Sequence, residues 1–553
     1  MVYSLFNVMD FKLFQKPQRY IGNEWNVVKK DHSNKVTICL GYPDLYEVGM
    51  SNLGLRIIYG ALNQFNDVVC ERVFMPAPDL ARFLRKRNKK LFSLETKTPL
   101  DQFAVLGFNF NYVLNFINFL HILNLGGLPV KASQRRDIIV LGGGIDNPQP
   151  LAEFVDVFFL GEFEGTVPNF VNVLRKYKDK ESRLKALSQI EGVYVPKFYT
   201  SVFENNSYKL IKDYKYAKLP IKRVYVRDLN TSFYPVKWLT PHTQIIHDRI
   251  PVEIARGCPN QCTFCQARAF YWPYRQRSIS TIEETVKESY RHSGYENFSF
   301  LSLSASDYSS IEDLIDRTSA FFQERKIGLS LPSLRADDIL GRLYTKLAKI
   351  KKTSLTIAVE AANESLRRDL NKKIDINKLF EAVKVVRTLR LKHIKTYFMF
   401  GFPQETGDDL AAIGVLLRKL HSQSGLSLNA SINTFIPKPF SLWEGEPMQT
   451  EAVLLQKKNV ILRNVRFNRN LRIFLSNPKK SILEAVICRA DRKFWSVIYR
   501  AFTKDTEFST YDDASFLKLW YNAIEEEAID YRFYLEAKTD NFPWSFIETG
   551  QKL

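Results

Sequence analysis

Short β-branched runs alternating with helix-length segments organise the first third of the chain. Residues 35–41 (KVTICLG) end in a turn and read as a buried strand, and 103–108, 138–141 and 155–160 repeat that signature. Segments such as 53–66 and 113–125 fill the spaces between them with helix-length apolar patterns. Repetition of strand, helix and strand predicts a parallel sheet covered on both faces. Residues 35–175 are therefore expected to form a doubly wound α/β domain behind a polar N-terminal arm, residues 1–34.

Residues 176–245 are charged, rich in Tyr and Pro, and keep no helical period, so they read as a linker with a few strands of its own. A second β/α series follows, with strands expected at 251–255, 298–303, 327–331, 354–359, 396–400 and 428–435. Six such units over 246–440 predict a partial (β/α)6 TIM-type barrel, whose ligand sites lie at the strand C-termini. From 441 to 553 the pattern is mainly helical, with 511–530 the clearest amphipathic stretch.

Composition narrows the class. A chain of 553 residues is long enough for two or three domains, and 45% hydrophobic with 25% charged residues is ordinary for a folded, water-soluble protein. The richest apolar stretch, 113–128, is broken by Asn115, Asn118, His121, Asn124 and a Gly-Gly pair, so no membrane span is predicted. The N-terminus lacks the pattern of a secretion signal, and a cytoplasmic protein is expected. A net charge of +20 would suit RNA, but the basic residues are spread along the chain, with short runs at 85–90, 349–352 and 463–472, as on a solvated surface.

Six cysteines in so long a chain are no disulfide framework; three of them fall within eight residues, while Cys39, Cys70 and Cys488 are scattered. The segment ARGCPNQCTFCQARAF spaces Cys258, Cys262 and Cys265 as C-x3-C-x2-C directly after the first barrel strand. That spacing lets one loop wrap three thiolates around a cubane cluster. The fourth iron then keeps open sites that can chelate the amino and carboxylate groups of a methionine moiety. Two other readings stand beside it. Zinc would want a fourth ligand, and His247 and His292 lie outside the loop; a redox pair of Cys262 and Cys265 would leave Cys258 unexplained.

The cysteine spacing, with the aromatic Phe264 before the last cysteine, resembles the radical S-adenosylmethionine (SAM) superfamily. The run SLSASDYS from Ser302, the run TIAVEAANESLRRDLNK from Thr356 and the run FMFGFPQET from Phe398 are similar to the second-, fourth- and fifth-strand segments of that family. The resemblance implies a 4Fe-4S cluster on Cys258, Cys262 and Cys265, with SAM approached by the backbone around Phe264, by Glu360 and by Gly401. Gln261 stands where the family usually has glycine, and no Gly-Gly-Glu follows the second strand. Arg275, Arg277, Tyr308 and His247 are further candidates, each equally readable as a structural side chain.

The turn GYPDLYEVGMSN resembles flavodoxin-like cobalamin-binding domains, which carry Asp-x-His-x-x-Gly there. Asp44 and Gly49 match, Tyr46 replaces the histidine, and Gly142, Gly143 and Gly144 occupy the later glycine turn. Residues 35–530 as a whole resemble a branch with a cobalamin-binding-like domain ahead of the radical SAM barrel. Loss of the histidine leaves two readings: cobalamin bound without a protein ligand to cobalt, or a scaffold that binds no corrin. The resemblance implies a reductant such as a ferredoxin or flavodoxin, and a 5′-deoxyadenosyl radical, with methyl transfer if a corrin is present. A cobalamin-independent, methylthiotransferase-like RNA-modifying enzyme is the alternative, and a non-catalytic iron-sulfur carrier the third reading.

Overall fold

Polar residues hidden inside a strand explain the largest difference between the expected and the observed first sheet. The computed structural model describes residues 10–204, 207–331, 340, 354–388, 393–465 and 470–550, so the basic run at 349–352 lies outside the described residues. Its first sheet contains β1 (Val36–Tyr42), β2 (Val68–Phe74), β3 (Val105–Asn109), β4 (Ile139–Gly143), β5 (Val157–Phe159) and β6 (Val193–Tyr194), in the order β2-β1-β3-β4-β5-β6. The first five strands are parallel and β6 is antiparallel to β5. This 2-1-3-4-5 order is the doubly wound, flavodoxin-like arrangement. Strand β2 was not among the expected runs because Glu71 and Arg72 interrupt its apolar pattern, yet all seven of its residues are buried.

Those two charges are tolerable because each is matched. Arg72 Nε donates to Glu95 at 2.6 Å and its Nη2 donates to Glu24 at 2.9 Å. Glu71 accepts from the Thr96 hydroxyl at 2.8 Å and lies 2.7 Å from His32 Nε2. Tyr46, in the turn after β1, donates its hydroxyl to the same Glu24 at 3.0 Å. The helix Leu53–Asn63 begins at Asn52, whose side chain accepts from Leu55 N–H, and buries Leu55, Ile57, Tyr59 and Leu62. All of the helix Phe116–Leu125 except Asn124 is buried, because the C-terminal helix Trp495–Lys504 covers its outer side.

The segment expected to be a linker is built into the body. It supplies the helix Lys180–Leu187, a hairpin of β7 (Tyr199–Glu204) with β8 (Ser207–Lys212), and β9 (Ile221–Lys222), which pairs with Ile547–Glu548 near the C-terminus. Trp238 is fully buried, with its indole N–H on Ser289 Oγ at 2.9 Å.

The second β/α series gives β10 (Ile250–Glu253), then a short pair of β11 (Ala255–Arg256) and β12 (Arg275–Gln276), and then β13 (Asn297–Leu301) and β14 (Gly328–Ser330). It continues with β15 (Ser354–Glu360), β16 (His393–Phe400), β17 (Ser427–Thr434) and β18 (Leu471–Leu475). Two parallel runs result, β10-β13-β14 and β15-β16-β17-β18, in the partial TIM-type pattern expected. Strand β18 adds a strand to the C-terminal region expected to be mainly helical. Its five residues LRIFL sit in a basic segment and alternate in exposure, so they offer too short a pattern to stand out. The 511–530 stretch is helical at Asp513–Glu526, capped by Asp512, with Phe516, Leu517, Trp520 and Ile524 buried. Among the described residues no helix is long and apolar enough to cross a membrane.

Removing Arg72 leaves Glu24 and Glu95 facing each other inside the first domain without a counter-charge. Arg72→Met is expected to lower the unfolding free energy by about 3–5 kcal/mol, read as a shift in the urea midpoint with unchanged slope.

Candidate functional site

The cysteine loop leaves β11 through Gly257, whose φ of +85° and tight surroundings make it the pivot. A Cβ there would lie 2.6 Å from the carbonyl oxygen of Tyr271, so a side chain would force the loop away from the barrel. Asn260 then anchors the first turn, donating to Asp307 at 2.7 Å and reaching Cys258 Sγ at 3.4 Å. Asn371 donates to the Gln261 carbonyl at 2.9 Å, and Thr263 N–H donates to Leu370 O at 3.2 Å. The loop is therefore pinned from β13 on one side and from the segment after β15 on the other.

The three thiols are partly exposed and close enough for each other's charge to matter. Burial pushes Cys262 up to about 11, with the Lys372 ammonium pulling it down and Cys265 and Cys258 pushing it up. Burial raises Cys265 as well, opposed by the backbone N–H groups of Ala267 and Arg268, which point at its sulfur. Among the described residues no three His, Cys, Asp or Glu side chains gather around a single metal ion. A cubane asks for something different, since each thiolate takes its own iron. Three soft sulfur donors on one loop, with amide donors behind one of them, fit a 4Fe-4S cluster.

Phe264, Glu360 and Gly401 are drawn to this loop. Phe264 packs on a small apolar shelf of Ala361, Leu366, Leu370, Phe402 and Phe435, separate from the main core. Glu360 closes β15 with φ +67° and lies 3.4 Å from Lys372 Nζ. Burial raises its carboxyl above the usual range, with Lys372 acting against that. Gly401 has φ +91° and donates its N–H to Glu405 at 2.7 Å, while Lys457 holds Glu405 at 3.0 Å. Lys372 was not legible in advance, because a lysine in the run NKK looks like solvated surface.

Between the C-terminal edge of the first sheet and the start of the barrel lies a cavity of about 400 Å³. Gly142, Gly143 and Gly144 form part of its wall, facing Ala255, Gly257 and Ser302. Asn109 also lines it, and its Oδ1 is buried with no hydrogen-bond partner among the described residues. Glycine backbone, apolar walls and an orphaned acceptor suit a flat ligand edged with amide donors. Asp44, Tyr46 and Gly49 stand elsewhere. Tyr46 is 2% exposed and packs on Phe74, Asp44 accepts from Leu45 N–H and Asn115, and a Cβ on Gly49 would collide with Phe74.

The two halves meet through charges. Arg256 reaches Glu162 at 2.9 Å and Glu253 at 2.8 Å, and also bonds Glu164. Arg275 grips Glu162 at 2.7 and 2.8 Å, and Arg277 pairs with Glu253 at 3.0 Å, so both arginines are structural partners of acids. Tyr308 is buried with its hydroxyl on Arg277 O at 2.7 Å. His247 is held below the usual imidazole value by partial burial and by the charges of Arg249, Arg56 and Lys395. A smaller polar cavity of about 70 Å³ opens behind Gln266, beside Asp146, Tyr271, Lys438 and Cys488. Burial pushes Asp146 up to about 6 against the pull of Lys438, which bonds Glu484 at 2.6 Å. An acid after a glycine turn is ordinary in sequence, so nothing announced this cluster.

Residues 252–416 match the radical SAM superfamily, and residues 54–196 match radical SAM proteins, N-terminal. An uncharacterised protein of Methanocaldococcus jannaschii is 26% identical over 82% of this chain and 88% of its own length. The ribosomal protein uS12 methylthiotransferase of Desulfotalea psychrophila is 28% identical, but over 30% of this chain and 39% of its own. Among solved structures, a radical S-adenosylmethionine methyltransferase, TsrM, from Kitasatospora setae shares the fold at 13% identity and a TM-score of 0.50, covering 75% of this chain and 78% of that one.

Burial would raise Glu162, but the hydrogen bonds and charges of Arg275 and Arg256 outweigh it, and its carboxyl sits below the usual range. Its stabilising share is complete above the unfolded value near 4.3 and is lost as pH falls through the lower folded value. Glu162→Gln should therefore cost about 3 kcal/mol near neutral pH and flatten the acid limb of a stability-against-pH curve measured by denaturant unfolding.

Proposed function

Because the chain is a radical SAM protein, with that domain set behind a radical SAM N-terminal region, we propose that Cys258, Cys262 and Cys265 hold a 4Fe-4S cluster at which SAM is cleaved reductively. The observation that carries this is the three-thiol loop, pinned by Asn260 and Asn371 beside the Phe264 shelf. Held by these three thiolates, a cluster would supply the electron for reductive cleavage of bound SAM.

The chain's own residues do the positioning. Phe264 and Phe402 offer an apolar edge for the adenine, and the turn at Gly401 brings backbone close to it without a side chain between. Glu360, with its left-handed backbone at the strand end and Lys372 beside it, would take the ribose hydroxyls of SAM. Lys372 also lends positive charge to the thiolates. A ferredoxin or flavodoxin is the expected electron donor.

The cavity against Gly142, Gly143 and Gly144 is the place for a corrin, which would supply a methyl carrier for transfer to an unactivated carbon. Its position beyond the carboxyl ends of the doubly wound strands and the free acceptor of Asn109 support this reading. Tyr46 is turned into the core and bonded to Glu24, so Tyr46 would not be the residue that holds a corrin there. A methylthiotransferase-like reading fares worse: Cys39 and Cys70 are buried in the first sheet, away from any second cluster.

Anaerobic reconstitution should load about four irons and four sulfides per chain, with 5′-deoxyadenosine released on adding SAM and a reductant. Cys262→Ala should abolish that release, while stoichiometric zinc in the isolated protein would sink the assignment. Aquacobalamin should co-elute with the wild type and give a shifted visible spectrum. Gly142→Phe should remove that binding and Tyr46→Phe should keep it; equal binding by the glycine variant would contradict the cavity assignment.

A further inference from the structure

Among the described residues, one face of the barrel half formed by β15 to β18 is only partly covered. Along β16, positions 394, 396, 398 and 400 are buried in the core that includes the helix Gly407–Ser424, while positions 395 and 397 are exposed. Strand β17 alternates in the same sense, and on β18 the exposed positions are 472 and 474. Parallel register turns this alternation into rungs. Lys395, Asn429 and Arg472 share one rung, and Tyr397, Ser431 and Phe474 share the next, one step nearer the cysteine loop. Tyr397 is 39% exposed and Phe474 is 58% exposed, unusual values for aromatic rings on a sheet. Among the described residues neither Lys395 nor Arg472 is paired with a carboxylate.

We propose that this face binds a nucleotide unit, with Lys395 and Arg472 on its phosphate and Tyr397 and Phe474 against its base. The inference rests on the radical SAM reading, since it names the substrate class for the barrel below the cysteine loop. Two cations on one rung lie roughly 10 Å apart across two strand spacings, within reach of a single phosphate for side chains of that length. The aromatic rung lies about 7 Å further along the strands, a span comparable with that from a phosphate across the ribose to its base. Base stacking on aromatic rings beside a cationic track is how single strands are held without sequence preference. Asn429 and Ser431 place an amide and a hydroxyl between the cations and between the rings, where sugar hydroxyls would lie.

The test is fluorescence polarisation of a short fluorescein-labelled single-stranded RNA with the full-length protein, without SAM or reductant, so that failure of SAM cleavage and failure of this site are read separately. The double variant Lys395→Glu with Arg472→Glu should raise Kd at least tenfold and lower the salt slope by about 0.7, the share of one phosphate. Tyr397→Ala and Phe474→Ala should each raise Kd at least fivefold, with unchanged far-UV circular dichroism. A charge-matched control, Lys86→Glu with Lys89→Glu in the first domain, should leave Kd within about twofold. Full competition by adenosine monophosphate would identify the free nucleotide as the source, and competition by RNA alone would identify a strand. Equal weakening in the control pair, or unchanged binding in the barrel variants, would overturn the proposal.

Discussion

The structure depends on one buried cation. Arg256 is held by Glu162 and Glu164 from the first domain and by Glu253 from the barrel, and it lies two residues before Cys258. Taking a guanidinium out of water is costly, and three carboxylates in good geometry are what make it tolerable. The same contact therefore fastens the doubly wound sheet to the barrel and sets where the cysteine loop begins. Arg275 and Arg277 extend the clamp on the far side of that loop, so both of its ends are tied to acids of the domain boundary.

The turn after β1 shows how a family-like position can change work. Tyr46 stands where the flavodoxin-like cobalamin domains place histidine, yet its hydroxyl bonds Glu24 within a chain that runs on through Arg72 to Glu95. Burial holds that phenol neutral, and Glu24 is its acceptor. The residue has become part of the core that locks the N-terminal arm onto β1 and β2. Glycine at positions 142 to 144, by contrast, still leaves backbone bare along the cavity.

What the sequence made legible was local. C-x3-C-x2-C is a spacing within one loop, and the alternation of strand and helix reports burial one element at a time, so the three thiols and both β/α series could be read directly. Strand β2 was hidden because Glu71 and Arg72 find partners far along the chain, at His32, Glu24 and Glu95. Strand β18 was hidden by the basic residues around it. Lys372 and Asp146 owe their roles to neighbours in space, and no pattern within ten residues of either predicts those neighbours. Tyr46 was found by its position, but the direction of its side chain is a property of the packed core.

The His121–Asp505 contact has a bearing on how the chain is made. The imidazole and the carboxylate meet at 2.9 Å across 384 residues of sequence, under the rings of Phe502 and Phe508. At about 5–20 residues per second, the ribosome would need roughly 20–80 s after finishing the helix Phe116–Leu125 before its lid emerges. For that interval the largely apolar outer side of this helix lies bare. Nascent chains of this protein thus keep that face uncovered until the helix that lids it, in the last fifth of the chain, has been made.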